Sequence, residues 1–370
     1  MLTRKFTYLF HLIFIGILFV SCTSQEYTTA KLAVQQSDWS KAAEWLPKAM
    51  ALEPDNPEIP IVLGVEIHAR NRNWHEMRTM FDKAMEIDSN KEVEVRAEFL
   101  SVTEHVNKYT EGYWVEQYNA GVGFFQKIEE NPDNKSEYLK SAIENLKNAS
   151  VIKPNDGQTY TTLAKCYFDL GEKDTAVDLI KTAVEKNPED FNANFSAGQI
   201  MLSCEAPAID VLPYFEKAVQ IEPSNSMALQ KLAAVYYDID RKEKSIEVFQ
   251  NAINNEQDKT VKADLYFNLG VIHNQMQNFE DAEKAFDEAF YLNETDYEAA
   301  LGMASAYISL GNKYLNGQDG FEKNMDKAAR WYRKAERKIK DVKSIDIDNS
   351  AEYQRQLELI RYKRDIAEGN

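Results

Sequence analysis

The apolar and polar positions along most of this chain have the spacing of amphipathic helices. Between residues 157 and 190, Leu163, Tyr167 and Ile180 recur at helical spacing on two segments separated by Gly171. Apolar residues that recur every three or four positions form one helix face, and glycine permits a tight turn between antiparallel helices. The pattern therefore predicts two helices packed face to face, with Gly171 in the turn.

This helix-pair pattern repeats with a nearly constant period. Proline follows predicted helical segments at Pro154, Pro188 and Pro223, in steps of 34 and 35 residues. A fixed period of this size indicates a repeat array in which neighbouring units bury a continuous core. Small residues recur where two helices must touch closely, namely at Ala164, Ala176, Ala183, Ala197, Gly198, Ala218, Ala233, Ala252, Gly270, Ala282 and Ala289.

Residues 157–190, with Leu163-Ala164, Tyr167, Gly171, Ala176, Ile180, Ala183 and Pro188, resemble the tetratricopeptide repeat position by position. The same frame fits the three segments that follow, so residues 157–296 are predicted to hold four consecutive repeats. The resemblance implies an all-α fold. It would be an α-solenoid, a right-handed superhelix of about seven to eight helix pairs with a C-terminal capping helix.

The remaining segments are assigned by the same frame. Residues 26–90 are predicted to hold two repeats, and residues 91–156 an extended helical segment followed by one repeat. Within the latter, residues 91–113 are helical in pattern and either prolong the following helix or add an unpaired one. Residues 297–343, with Leu310-Gly311, Lys327-Ala328 and Lys334-Ala335, resemble a Sel-one-like repeat, a relative with a longer turn.

Three local signals refine these helices. In residues 344–370, Asn349-Ser350-Ala351-Glu352 resembles a capping box that opens the capping helix. Pro47 and Pro213 fall inside predicted second helices and are expected to bend or shorten them, because proline removes a helical hydrogen bond.

The N-terminus predicts the cellular compartment. Arg4 and Lys5 precede an apolar run over residues 6–20, which is too short to span a bilayer and is typical of a signal peptide. Phe19-Val20-Ser21-Cys22 resembles the bacterial lipobox. That resemblance implies cleavage after residue 21, acylation of Cys22 and a short linker over residues 22–25. The alternative is an ordinary secretory signal with a cysteine near the cut by chance.

Charge limits the classes of partner. The chain has 43 Lys+Arg against 60 Asp+Glu, a formal charge of −17, which argues against nucleic-acid binding because phosphates require a basic face. Residues 22–311 hold 27 bases and 49 acids, whereas residues 312–370 hold 14 bases and 11 acids. A neutral to basic partner is therefore favoured for the repeats.

The sequence has no recognisable catalytic constellation. The five histidines are scattered without ligand spacing, and neither a phosphate-binding glycine loop nor a nucleophile elbow is present. We therefore predict no metal, no cofactor and no enzymatic activity. Cys166 and Cys204 lie in the first helices of neighbouring repeats, where buried free thiols are favoured over a disulfide.

In the tetratricopeptide family, the first helices of successive pairs line a concave groove that holds peptides or extended protein segments. The resemblance predicts one aromatic residue per repeat in this groove, flanked by amide side chains that could bond a partner main chain. The alternative is that the aromatic residues pack against neighbouring helices, as most aromatics at helical spacing do. The predicted groove residues are Lys165, Phe168, Asn192, Phe195, Gln199, Gln230, Tyr237, Asp238, Asp264, Phe267, Asn268 and Asn274.

These observations predict a lipid-anchored, non-enzymatic interaction scaffold in a bacterial envelope, on the periplasmic face of the outer membrane. It would bind a neutral to basic segment of a partner protein, for example during assembly of an envelope complex. The alternative is an outer-membrane lipoprotein that binds glycans. Exposed, stacked Tyr113, Trp114 or Trp331 on one surface would favour that alternative.

Overall fold

The structure is a computed structural model that describes residues 23–293, 297–318 and 320–369. The predicted signal peptide and the predicted lipidation site at Cys22 lie outside these residues and stay predictions. None of the helices in the described ranges combines the length and apolar character needed to cross a bilayer. The chain divides into two compact units, one ending at Glu172 and the other beginning at Lys173.

The first unit consists mainly of antiparallel helices, with one two-stranded sheet. Its elements are α1 (Gln25–Gln35), α2 (Trp39–Leu52), α3 (Glu58–Leu63), a π-helix (Gly64–Ala69), α4 (Trp74–Asp88), β1 (Glu92–Val95), β2 (Glu98–Ser101), α5 (Val102–Glu130), a 3₁₀ turn (Pro132–Asn134), α6 (Lys135–Ile152) and α7 (Gly157–Asp169). One buried cluster that extends from Tyr27 to Ile152 forms its core.

The helical prediction for residues 91–113 is wrong in its first half. Residues 92–101 form an antiparallel hairpin, in which Val95 pairs with Glu98 across a two-residue turn. The turn residues Arg96 and Ala97 both have positive φ, at 51° and 61°, as a type I′ turn requires. Val93 and Val95 face the core, while Glu92 and Glu94 are exposed. This alternation of period two favours a strand. The second half prolongs the following helix, α5.

The second unit is all-helical over its described residues. Its elements are α8 (Lys173–Lys186), α9 (Phe191–Ser203), α10 (Ala208–Ile221), α11 (Ser226–Asp238), α12 (Lys242–Asn255), α13 (Lys259–Gln275), α14 (Phe279–Leu292), α15 (Tyr297–Asn316), α16 (Met325–Ile345) and α17 (Ser350–Glu368). Each helix from α9 onward packs on its predecessor in the sequence. The predicted all-α, repeated helix-pair architecture is confirmed, and the hairpin is an insertion into it.

The predicted repeat at 157–190 is divided between the units. Its first helix, α7, packs on α6, and its second helix, α8, packs on α9. Each proline that marks the period lies shortly before the first helix of the next pair. The N-cap residue of that helix is two positions after the proline. The side chains of Asp156, Asp190 and Asn225 accept hydrogen bonds from main-chain N–H groups three residues on, which satisfies helix-terminal donors.

Small residues mark the closest helix contacts, as predicted. A Cβ added at Gly198 would lie 2.6 Å from Cζ of Phe215, and one at Gly270 would lie 2.7 Å from Cδ1 of Phe286. These aromatic rings, each at most 1% exposed, occupy the space left by the missing side chains. The paired helices therefore approach closely because one of them carries glycine at the crossing point.

Three finer predictions concern single helices. Pro47 and Pro213 do not shorten their helices, because α2 and α10 have 14 residues each, as α8 has, and a bend at either proline stays a prediction. Both prolines are exposed, where water can reach the carbonyl that lost its donor. The capping box at residues 349–352 does not form, because the Asn349 side chain donates to Asp346 at 2.9 Å instead.

The two described cysteines are free, so the disulfide alternative is wrong. Cys166 is buried, as predicted, and burial raises the pKa of its thiol to about 12. Cys204 is only half-buried.

The turn between the two helices of a pair requires one residue with a left-handed backbone conformation, that is, a positive φ. In most of these turns that residue is not glycine. Gly171 has φ +89°, as predicted. The equivalent positions in the other turns hold residues with a side chain and φ between 56° and 64°, namely Ser37, Arg72, Glu205, Asp240 and Gln277. Left-handed backbone is strained for residues with a Cβ, so these turns store strain that the sequence pattern does not reveal.

We expect Glu205→Gly to raise the free energy of unfolding by about 0.5–1 kcal/mol, because relief of left-handed strain exceeds the entropy of glycine in the unfolded chain. Gly171→Ala should lower it by about 1 kcal/mol, since a Cβ there meets no atom within 4 Å and only the backbone strain counts. Chemical denaturation followed by circular dichroism measures both. A destabilised Glu205→Gly variant would contradict the strain argument.

Candidate functional site

The predicted groove residues of the second unit that lie on α11 and α13 come together on one surface. These two first helices are in contact, and the predicted residues follow helical spacing along each of them. We call this surface the amide–aromatic face. It consists of Gln230, Tyr237, Asp238, Asp264, Phe267, Asn268 and Asn274.

The two aromatic rings of this face are half-buried. Tyr237 lies against the core formed by α11, α12 and α13, and the Lys242 ammonium group is 5.7 Å from its ring centroid. The ring of Phe267 is tilted by 55° against that of Phe286, with the centroids 5.7 Å apart. Each ring therefore packs on the core with one side and leaves part of its surface to solvent.

The polar residues of the face are amides and acids. Asn268 is half-buried and donates from Nδ2 to the main-chain oxygen of Asp264, one helical turn earlier, at 2.8 Å. Gln230 is half-buried, and Asp238 and Asp264 are exposed. The arrangement offers apolar ring surface, amide hydrogen-bonding groups and negative charge, and these groups can bind a chain segment but supply no nucleophile with an adjacent base.

On α9 the structure separates the predicted residues by burial. Phe195 is only 9% exposed and packs on Phe215 and Phe191, with ring centroids 5.8 and 5.4 Å apart. For this residue the packing alternative describes the environment better than the groove hypothesis. Asn192 is exposed and Gln199 half-buried, so both remain available at the surface.

The two predicted groove residues on α7 belong to the first unit. Lys165 is exposed and Phe168 is half-buried. These two residues are therefore not part of the amide–aromatic face.

The aromatic residues of the glycan-binding alternative do not form an exposed platform. Trp114 is 9% exposed, and its Nε1 donates to Thr159 Oγ1 at 2.9 Å in the interior of the first unit. Trp331, in the second unit, is half-buried, stacks on Tyr307 and is covered by the Lys334 ammonium group 4.4 Å away. Neither tryptophan is therefore the exposed, stacked ring that the glycan-binding alternative requires.

Sequence reasoning missed an ionic cluster in the first unit. Glu66, in the π-helix, is 3% exposed and accepts two hydrogen bonds from Arg96, from Nε at 2.6 Å and from Nη2 at 3.1 Å. Arg70 lies one turn further, with Nη2 3.7 Å from the same carboxylate, and its guanidinium stacks on Trp39 at 3.6 Å. The hydrogen bonds to Glu66 raise the pKa of Arg96 above its usual range.

The local geometry explains how this cluster forms. The Glu66 side chain extends from the π-helix to the hairpin, where the turn residue Arg96 donates to it. π-Helices are rare and frequently occur at functional sites. The alternation Glu92-Val93-Glu94-Val95 could have revealed the strand, but nothing local in the sequence pairs residues 66 and 96.

Comparisons with known proteins agree with the repeat assignment. A family model described as tetratricopeptide repeat matches residues 263–296, and a second model with the same description matches residues 135–194. The predicted resemblance to the tetratricopeptide repeat is therefore confirmed, and it is carried by these two matched segments. The Sel-one-like character of residues 297–343 stays a prediction.

A tetratricopeptide repeat-containing protein of Caenorhabditis elegans, trd-1, is 23% identical over 148 residues, which cover 40% of this chain and 18% of that protein. The chain thus spans about a fifth of the length of this curated relative. Three solved structures are similar in fold. MamA is 22% identical, with a TM-score of 0.39, over 48% of this chain and 94% of its own.

Two further similar structures are described as tetratricopeptide repeat proteins. YrrB, described as having an unusual peptide-binding site, is 19% identical with a TM-score of 0.39, over 48% of this chain and 95% of its own. A tetratricopeptide repeat protein from Parabacteroides merdae is 14% identical with a TM-score of 0.45, over 68% of this chain and 99% of its own.

Proposed function

We propose that this tetratricopeptide repeat protein is a non-enzymatic scaffold that binds an extended segment of a partner protein on the amide–aromatic face. One observation carries the proposal: Tyr237 and Phe267 present half-exposed rings on neighbouring first helices, flanked by Gln230 and Asn268. Binding of a partner would remove this apolar ring surface from water, which is favourable. Aromatic residues are also frequent anchors of interfaces.

The chemistry of the face suggests the kind of partner. Amide side chains can donate to and accept from the main chain of an extended segment, while the rings receive its apolar side chains. Asp238 and Asp264 are exposed on the same face, in a chain of formal charge −17. A neutral to basic segment fits this surface, and higher salt should slow its association.

We further propose that the scaffold is anchored by lipid at Cys22 in a bacterial envelope, at the periplasmic face of the outer membrane. The proposal rests on the basic start, the short apolar run and Ser21-Cys22 at its end. Several acyl chains together would anchor the chain stably, at about 0.8 kcal/mol per buried CH₂. Metabolic labelling with a palmitate analogue, compared between the parent and Cys22→Ala, tests this anchor.

The binding proposal is tested by recovery of a partner from detergent-solubilised envelope of the native cells. Tyr237→Ala combined with Phe267→Ala should lose most of a partner that the parent recovers, because both ring anchors are removed. Tyr291→Ala is the matched control, since this tyrosine is 74% exposed on the second helix α14. Phe195 is left intact because it is buried.

Circular dichroism and thermal unfolding must first show that the double variant is folded. Recovery of the same partner in equal amount by the parent and the folded double variant would contradict the proposal. Loss of the partner by the Tyr291→Ala control would move the interface to the second helices.

A further inference from the structure

The helix α17 carries apolar residues on two opposite faces. Its inner face packs on α16 and consists of Tyr353, Leu357, Ile360 and Ala367. Its outer face carries Leu359, Tyr362 and Ile366, which are 55%, 65% and 40% exposed. These three residues are three and four positions apart, so their side chains form one line along the helix. We call them the outer stripe.

The inner face of α17 already provides the packing that this helix needs. A helix that covers one side of a helical array normally buries one apolar face and turns a polar face to water. A second apolar line in contact with water is typical of a surface that binds a partner. The spacing of Leu359, Tyr362 and Ile366 is that of the contact positions at which two helices pair in a coiled coil.

The charged residues beside the outer stripe differ between its two sides. Glu358 and Asp365 lie on one side of it and Lys363 on the other, since each residue turns a helix by about 100°. Of the charged side chains on α17, only Glu358 and Lys363 make no ion pair within the described residues. Glu358 accepts from Gln354 at 3.1 Å and Lys363 donates to Asn312 at 2.9 Å, and both of these partners are uncharged.

We propose that two copies of this chain associate through the outer stripe, with their α17 helices side by side and parallel. In a parallel pair, a residue beside the contact line faces the residue five positions later on the partner. Glu358 of one copy then meets Lys363 of the partner subunit, and the two-fold symmetry forms this ion pair twice.

The charges disfavour the antiparallel arrangement. In an antiparallel pair, like sides of the two helices face each other, so Glu358 and Asp365 would meet the same acids of the second copy. Like charges placed opposite each other select against an arrangement. Toward the start of α17 the stripe ends at Arg355, whose charge is compensated by Glu352 of the same helix. The charge pattern therefore favours a second copy of the chain in one orientation.

The dimer is expected to be weak and reversible. Each copy contributes three apolar side chains, and small interfaces of this kind are typical of transient association. The outer stripe shares no residue with the amide–aromatic face, which lies on α11 and α13. Failure of one proposal therefore leaves the other intact.

Sedimentation equilibrium of the full chain, in a detergent solution matched in density so that only protein contributes, tests the association. The parent should show a reversible monomer–dimer equilibrium. Leu359→Ser should raise its dissociation constant by about tenfold or more, because each dimer loses two buried leucines. Leu52→Ser is the matched control, since this leucine is 60% exposed at the end of α2 in the other unit. The control should dimerise as the parent does.

Charge reversal tests the orientation. Glu358→Lys and Lys363→Glu should each weaken the dimer by about three- to tenfold, because each variant places like charges opposite each other twice. An equimolar mixture of the two variants should associate as tightly as the parent, since every facing pair is then of opposite charge. Circular dichroism must show that all variants are folded.

Four results would overturn the proposal. The parent could be monomeric at every concentration, or Leu359→Ser could dimerise as the parent does, as it would if two copies only shared a micelle. Glu358→Lys could associate as tightly as the parent or more tightly, as an antiparallel pair predicts. The mixture of Glu358→Lys and Lys363→Glu could remain as weakly associated as each variant alone.

Discussion

Replacing Gly270 by alanine is expected to lower the free energy of unfolding of the second unit by about 2–3 kcal/mol. The new Cβ would lie 2.7 Å from both Cδ1 and Cε1 of Phe286, whereas carbon atoms in contact are about 3.5–4.0 Å apart. The ring has no free space to move into, because it is 1% exposed and a Cβ at Gly302 would lie 2.6 Å from it on the next helix. The helices α13 and α14 must therefore separate.

Chemical denaturation followed by circular dichroism measures this loss. Gly112→Ala is the matched control, because Gly112 is exposed inside α5 and a Cβ there meets no atom within 4 Å. Alanine is the better helix former, so this variant should gain about 0.5–1 kcal/mol. If the free energy of unfolding falls for Gly270→Ala and rises for Gly112→Ala, the loss at Gly270 comes from the contact with Phe286. Equal, small effects would contradict the close approach of the two helices.

Replacing Glu66 by alanine is expected to lower the free energy of unfolding of the first unit by about 2–3 kcal/mol. Removing one partner of a fully buried ion pair typically costs about 3–5 kcal/mol, because the other charge is left without compensation. The carboxylate of Glu66 is buried, but Arg70 and Arg96 are nearly half exposed, and water would screen part of the remaining charge. The hairpin turn should loosen as Arg96 loses both hydrogen bonds.

The matched control is Glu44→Ala, which removes the partner of Lys48 in an ion pair whose side chains are 50% and 60% exposed. Exposed pairs within a helix contribute about 0.3–0.5 kcal/mol, so this variant should unfold almost as the parent does. Hydrogen exchange at residues 92–101 would also report the loosened hairpin. A Glu66→Ala variant with unchanged stability and unchanged exchange would show that the cluster does not hold the hairpin in place.

The first of these effects bears on function because the amide–aromatic face depends on it. Gly270 sets the distance between α13 and α14, and α13 carries Phe267 and Asn268 of the amide–aromatic face. Glu66 holds Arg96 of the hairpin turn in place through two hydrogen bonds. A binding measurement on the Gly270→Ala variant must therefore be accompanied by a stability measurement, as for the variant that combines Tyr237→Ala with Phe267→Ala.

The sequence by itself determined the features that depend on short-range spacing. Apolar residues such as Leu163 and Ile180 recur at the helical period. This spacing gives each helix an apolar face that packs on the neighbouring helix. The small residues at Gly198 and Gly270 mark closest contacts because the repeat frame fixes which positions of paired helices face each other. The same frame places the predicted groove residues of α11 and α13 on one side of each helix, and their role in binding stays a prediction.

Only the tertiary structure decided the features that depend on contacts between distant residues. Glu66 and Arg96 are 30 positions apart and meet because a π-helix and a hairpin turn face each other. Phe195 occupies the same position of the repeat frame as the half-buried Phe267, but it is buried, with Phe215 packed on its ring. The turn at Glu205 is left-handed although glycine is absent, because the packing of the helix pair outweighs about 1–2 kcal/mol of local strain. Local spacing contains no information on such pairings, so the ionic cluster beside the hairpin became visible only in the folded chain.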